Sequence, residues 1–180
     1  MASVTIARPD PSEYVPYFAQ YVDKVPPGDV LALLGKQGDE TVAALKGLSD
    51  QQALYRYAPG KWSIKQVVGH ISDTERVFVY RALCFARGDQ QGLPGFDENE
   101  YVAGARFDDR PLSDHLAELR AVRVATVTFF AGLNQEELLR TGVANQRKYT
   151  VRAVAFIIAG HERHHLALLR ERYLKAANGR

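Results

Sequence analysis

Five histidines stand in the 180-residue chain: His70, His115, His161, His164 and His165. Three fall inside Gly160-His161-Glu162-Arg163-His164-His165. On a helix, positions i and i+4 differ by about 40° around the axis, so His161 and His165 share one face, a turn apart. With His161 as origin, Val154, Ile157, Ile158, Leu168 and Leu169 fall within about 80° of it. The pair therefore interrupts an apolar, core-facing stripe. Two buried neutral imidazoles leave lone pairs and N–H groups that lose about 1–3 kcal/mol each if unpartnered. A divalent cation satisfies the lone pairs together. His70 supplies a third nitrogen, because on its own helix it shares a side with Ser63, Val67, Thr74, Val77, Phe78, Arg81, Cys84 and Phe85. The chemistry expected is metal binding by His70, His161 and His165.

Other uses compete for these residues. His161-Glu162-Arg163-His164-His165 satisfies the H-E-x-x-H pattern of zinc proteases, in which the glutamate activates water. Only 15 residues follow His165, and Leu168 stands where the longer protease pattern requires glycine. Nothing in the pattern supplies a sheet to align a peptide. Glu162, about 100° from His161, is expected to face solvent or to support the ligands from behind. His164 is placed at the stripe edge, and His115, without a spaced partner, is taken as an ordinary residue. Cys84 lies about 21 Å along the helix from His70 and reads as a packing residue. Arg81, about 16 Å from His70, is expected in a surface salt bridge in preference to an anion clamp. Weaker pocket candidates are Trp62, just before the Ser63 cap, Thr74, one turn from His70, and Asp97.

These residues need a scaffold, and helical periodicity dominates the chain while period-two alternation is weak. A short helix is expected over about Ser12 to Lys24, before the Pro26-Pro27-Gly28 break. Asp29 caps a second helix with Val30, Leu33, Leu34, Thr41, Leu45 and Leu48 in its stripe. Residues Ser49 to Lys61 read as loop. Ser63 caps the next helix, Ile64 to about Arg87. From Gly88 to Pro111 regular structure is not predicted, and a connection that long is often functional. A further helix covers about Pro111 to Ala131, with Leu112, Leu116, Leu119, Val122, Thr126 and Phe129 or Phe130 on one side. Gly132 to Tyr149 reads as a connector, and Thr150 caps a last helix reaching about Ala176. Four long helices suit an all-α four-helix bundle. The domain reading is an N-terminal extension over 1–28 and a bundle over 29–177.

Composition agrees with one globular domain: 46% hydrophobic, 24% charged, with 23 basic and 21 acidic residues. That near balance gives no nucleic-acid footprint. No secretory signal and no apolar run of membrane-spanning length is read, so no membrane partner is expected. Cys84 as sole cysteine argues against disulfides, and the chain reads as cytoplasmic.

Three motifs carry a resemblance: Lys61-Trp62-Ser63-Ile64-Lys65-Gln66-Val67-Val68-Gly69-His70-Ile71-Ser72-Asp73-Thr74-Glu75-Arg76, then Gly95-Phe96-Asp97-Glu98, then Gly160 to His165. In this order, from about Val30 to Leu174, the chain resembles the DinB/YfiT-like family. The resemblance implies an up-down-down-up four-helix bundle with the Gly88–Pro111 stretch as its long crossover. It also implies a metal (nickel, zinc or an iron-like ion) on the same three histidines, and a homodimer. Characterised relatives of that kind include S-transferases using bacillithiol or mycothiol and a mycothiol-dependent maleylpyruvate isomerase; others carry provisional hydrolase names. The expected function is a thiol-dependent S-transferase joining a low-molecular-weight thiol to a small electrophile. The alternatives are a metal-dependent hydrolase that draws its nucleophile from water, and a non-enzymatic, stress-associated metal-binding bundle.

Overall fold

The structure, a computed structural model, describes residues 4–175; the expected end of the last helix at Ala176 lies outside them. Eight helices follow in order: α1 (Ala19–Val22), α2 (Val30–Leu45), α3 (Asp50–Ala53), α4 (Ile64–Ala86), α5 (Glu98–Gly104), α6 (Leu112–Ala131), α7 (Gln135–Leu139) and α8 (Val151–Leu168), the last continued by a π-helical turn over Leu169–Leu174. The four long ones, α2, α4, α6 and α8, pack as a bundle in which α2 and α4 each contact α6 and α8.

Local chemistry explains the starts. The Asp29 carboxylate accepts from the Leu31 and Ala32 amides at 2.8 and 3.3 Å. Ser63 and Gln66 form a reciprocal capping box on α4. Thr150 accepts from the Ala153 amide and opens α8. Helix α6 starts at Pro111 without a cap of its own; Asp50 accepts from the Leu112 amide at 2.7 Å. The segment expected as loop over Ser49 to Lys61 thus contains α3, whose first residue holds the start of a distant helix.

Three further expectations are corrected. The first helix is broken into 3₁₀ turns over Pro11–Glu13 and Pro16–Phe18 before α1, because Pro16 lacks the amide a continuous helix needs. The crossover carries regular structure after all, α5, capped by Asp97. The connector before α8 contains an antiparallel hairpin, β1 (Thr141–Ala144) and β2 (Arg147–Thr150), with Gly142 opposite Tyr149. Its two-residue turn places Asn145 and Gln146 at φ of 50° and 59°, the left-handed geometry that matches strand twist. Leu93 of the crossover adds a parallel bridge to Ala144.

The core divides in two. One apolar cluster gathers Phe18, Leu34, Phe78, Phe85, Tyr149 and Phe156; the other gathers Val42, Leu45, Ile64, Ile71, Leu116 and Tyr173. Along α2 and α8 the first cluster precedes the second, and along α4 and α6 the order reverses. Between them every long helix turns polar: Gln37 and Thr41 on α2, His70, Thr74 and Glu75 on α4, Arg123 and Thr126 on α6, and His161, Glu162 and His165 on α8, all buried. Among the described residues no helix is long and apolar enough to cross a membrane.

The segment before α2, expected as an extension, packs into the bundle with Phe18, Val22 and Val25 buried. Its contact with α8 is closest at Gly160, where an added Cβ would lie 2.0 Å from the Tyr21 carbonyl oxygen. Alanine gains about 1 kcal/mol of helix propensity over glycine. Overpacking of two backbones typically costs about 1–3 kcal/mol, and here neither backbone is a flexible side-chain end. Gly160→Ala is therefore expected to lower the urea unfolding midpoint, and an unchanged or raised midpoint would show that the two segments are not in this contact.

Candidate metal centre

Histidine 70 comes from α4, whereas His161 and His165 come from successive turns of α8, which packs against it. All three are buried, and one ligand atom of each lies within 4.8 Å of the others. The Nε2 of His161 is 3.1 Å from the Nε2 of His70 and 3.1 Å from that of His165. A single His161 lone pair cannot receive both neighbours in good geometry, so imidazoles alone leave the cluster short of partners. Nitrogens bound to one ion at about 2.0–2.1 Å keep roughly this mutual separation. The donor set thus fits a divalent cation, with nickel, zinc and iron all accepting imidazole. With Nε2 turned inward, His70 directs Nδ1 at Thr74 Oγ1, 3.3 Å away. The hydroxyl orients the ring in the manner of supporting residues around metal ligands.

Burial keeps these rings uncharged. Desolvation lowers the His70 pKa to about 4. For His161 and His165 desolvation, reinforced by neighbouring imidazoles, pushes it well below the ordinary histidine value. Neutral imidazole is the form that binds a metal.

The cluster forms the floor of a cavity of about 280 Å³. The Trp62 ring leans on His70 with centroids 4.7 Å apart, so this candidate reaches the site instead of only closing the bundle end. Thr74 also lines the cavity. Asp97 does not: its carboxylate accepts from the Asn99 and Glu100 amides, while its neighbours Phe96 and Glu98 reach the wall. His164 stacks edge-on against Tyr21 and His165 at the rim, half-buried. His115 is remote, bonding the Phe107 carbonyl at 2.8 Å. Cys84 is half-buried against the first apolar cluster.

The solvent-facing alternative for Glu162 and the surface position expected for Arg81 are overturned. Glu162 does not face solvent: it is 1% exposed, and its carboxylate accepts from Gln37 at 2.5 Å and Thr41 at 2.7 Å and pairs with Arg123 at 2.7 Å. So engaged, it cannot serve as the water-activating acid of a protease site. Arg123 also grips Glu75 through two bonds of 2.9 and 2.7 Å and donates to the Leu34 carbonyl. Burial alone would lower its pKa, but the two carboxylates outweigh this and hold it above the ordinary value. Arg81, expected at the surface, is 5% exposed and lines the cavity.

Sequence reading missed the rest of the wall. Tyr17, Phe18 and Tyr21 come from the N-terminal segment, and the Tyr21 ring meets His161 edge-on at 5.4 Å. Their signal was an aromatic spacing, Tyr14, Tyr17, Phe18 and Tyr21, that marks one helical face. The hairpin adds Ala144, Asn145, Arg147 and Tyr149; its turn lacks the glycine that flags such loops.

A family profile described as the DinB superfamily matches residues 33–169. A Geobacillus thermodenitrificans protein bearing the provisional name of metal-dependent hydrolase is 24% identical over 139 residues, spanning 76% of this chain and 78% of its own length. A second, from Oceanobacillus iheyensis and named in the same way, is 26% identical over 125 residues, 68% of this chain and 71% of its own. Among solved structures, YfiT from Bacillus subtilis superposes with a TM-score of 0.72 at 18% identity, covering 82% of this chain and 85% of YfiT. YfiT is described, provisionally, as a metal-dependent hydrolase with an unusual four-helix bundle topology.

Elemental analysis of purified protein is expected to find about one divalent ion per chain, and less than about a tenth of that in His161→Ala; equal content would remove the metal reading. A second expectation concerns the metal-free chain. Its imidazoles have pKa values below those of the unfolded chain, so the unfolded state binds more protons once pH falls beneath about 6.5. Stability is retained above that pH and lost as pH falls toward about 4 and below, by on the order of 1.4 kcal/mol per unit for each unprotonated imidazole. Urea midpoints in chelator at about pH 7.5 and about pH 5.5 check this; coincident midpoints would mean freely protonated rings.

Proposed function

We propose that this chain, which belongs to the DinB superfamily, is a metal-dependent hydrolase of small molecules. The observation that carries the reading is the convergence of three neutral Nε2 atoms at the floor of a walled cavity. Relatives with provisional hydrolase names support it at the level of reaction class.

His70, His161 and His165 would hold a divalent ion, which would supply Lewis-acid polarisation and lower the pKa of water or a thiol bound to it. The chain's own residues do the remainder. Three uncharged ligands leave the full double charge of such an ion uncompensated. Thr74 holds the His70 ring in orientation. The rings of Trp62 and Tyr21 lie against His70 and His161 and exclude water from their flanks, which strengthens electrostatic interactions at the floor. The cavity's volume lies at the small end for ligand sites, favouring compact esters or amides over a peptide.

Thiol transfer is retained as a second reading on one specific observation. The acid nearest the ligands in sequence, Glu162, is bound on both oxygens in the buried ion layer. That side chain is therefore not free to act as a general base toward water, whereas a thiol, its pKa lowered by such an ion, would release its proton to solvent without a protein base.

The test uses the full metal-loaded chain on a panel of small esters and amides, with and without added low-molecular-weight thiol, beside monochlorobimane. Ester or amide turnover without thiol, falling about 100-fold or more in His161→Ala, is the expected result. Consumption of monochlorobimane only when thiol and metal are both present transfers the assignment to the second reading. A fully loaded protein inactive in every arm overturns both.

A further inference from the structure

Three lysine or arginine side chains are buried among the described residues: Lys65, Arg81 and Arg123. Lys65 holds Asp50 at 2.8 Å, and Arg123 holds Glu75 and Glu162 at 2.7 Å each. Arg81 has no carboxylate within ion-pair distance among those residues. Its guanidinium lies over the rings of Phe78 and Phe96, 5.3 and 5.7 Å from their centroids, and Nη2 donates to the Pro94 carbonyl at 2.9 Å. A buried charge without its opposite is costly, and a guanidinium carries five donors.

A second group at this position also wants an acceptor. The Tyr149 hydroxyl is fully buried and lines the same cavity; its polar neighbour is the Arg81 guanidinium, itself a donor, so its own proton has no acceptor among the described residues. Burial raises its pKa, and the nearby charge of Arg81 works against that rise. Farther out, Arg147 lies over the Tyr17 ring at 4.4 Å, likewise without an ion pair. The acid on this wall, Glu98, is exposed and adds to the burial that raises the pKa of Tyr21, and among the described residues it forms no ion pair with Arg81 or Arg147.

Arg81 is 11 residues beyond His70 on α4, about 16 Å along the axis. Side chains on a helix lean toward its N-terminus, so the guanidinium reaches back toward the imidazoles. The cavity thus has a cation-accepting floor and an anion-accepting far wall, both lining the same space.

We propose that the substrate carries a carboxylate at the end remote from the reacting group, received by the planar fork of Arg81 and the Tyr149 hydroxyl, with Arg147 at the mouth. A carboxylate matches a guanidinium in shape and charge. The identity of the reacting end rests on the function proposed above; the anion subsite does not.

The test loads the full chain with cobalt(II), whose absorption spectrum reports thiolate coordination, and titrates it with mercaptohexanoate and with neutral mercaptohexanol. Wild type is expected to bind the carboxylate probe about tenfold or more tightly. In Arg81→Gln the two probes should bind equally, with mercaptohexanol unchanged within about twofold, while Arg81→Lys keeps part of the preference. Circular dichroism on both variants separates lost folding from lost recognition. A metal-free arm compares hexanoate with hexanol by calorimetry. If cobalt does not bind but hexanoate is still preferred through Arg81, the metal reading fails and the anion subsite stands. Equal binding of charged and neutral probes to wild type, or a preference surviving in Arg81→Gln, overturns the proposal.

Discussion

One guanidinium in the middle of the bundle sets the terms for everything around it. Arg123 of α6 bonds Glu75 of α4, Glu162 of α8 and the Leu34 carbonyl of α2, so a single side chain touches all four long helices. Removing one partner from such a buried cluster costs about 3–5 kcal/mol, which makes the arrangement stringent about register. A helix that slipped by one residue would strand a carboxylate in apolar surroundings. The apolar clusters on either side tolerate exchange of one hydrophobic group for another; the polar layer between them does not.

The histidines inherit their geometry from this constraint. His161 and Glu162 are adjacent in sequence and about 100° apart on the helix. Fixing Glu162 against Arg123, Gln37 and Thr41 therefore fixes the rotation of α8, and with it the direction in which His161 and His165 point. On α4 the same coupling runs through Glu75, one residue after Thr74, which orients His70. Ligands and ion layer are two faces of one set of turns.

The histidine triad was legible in the sequence because it rests on one physical signal, polar residues interrupting an apolar stripe at helical spacing. The caps Asp29, Ser63 and Thr150 were legible for a similarly local reason. Arg123 obeyed the same rule, lying four residues beyond Leu119 on the buried side of α6, but a charged residue there reads as an interruption until its partners are known. Those partners are 48 and 39 residues away, and pairing at that range cannot be seen in local periodicity. The hairpin was hidden for a different reason: Asn145 and Gln146 adopt left-handed backbone without glycine. Arg81 was misplaced because distance along a helix says nothing about what covers it; the crossover and the hairpin bury it.

The cavity wall is assembled from three short stretches far apart in the chain: the aromatic segment before α2, the crossover around Phe96, and the hairpin tip. None of them supplies an imidazole; the long helices supply those, together with Thr74, Phe78 and Arg81. Reactivity thus rests on the long helices, whereas most of the remaining wall rests on the short stretches. Such a scaffold can be refitted for a new molecule largely by altering loops, while its reactive machinery stays untouched, and two chains with the same triad need not share a substrate.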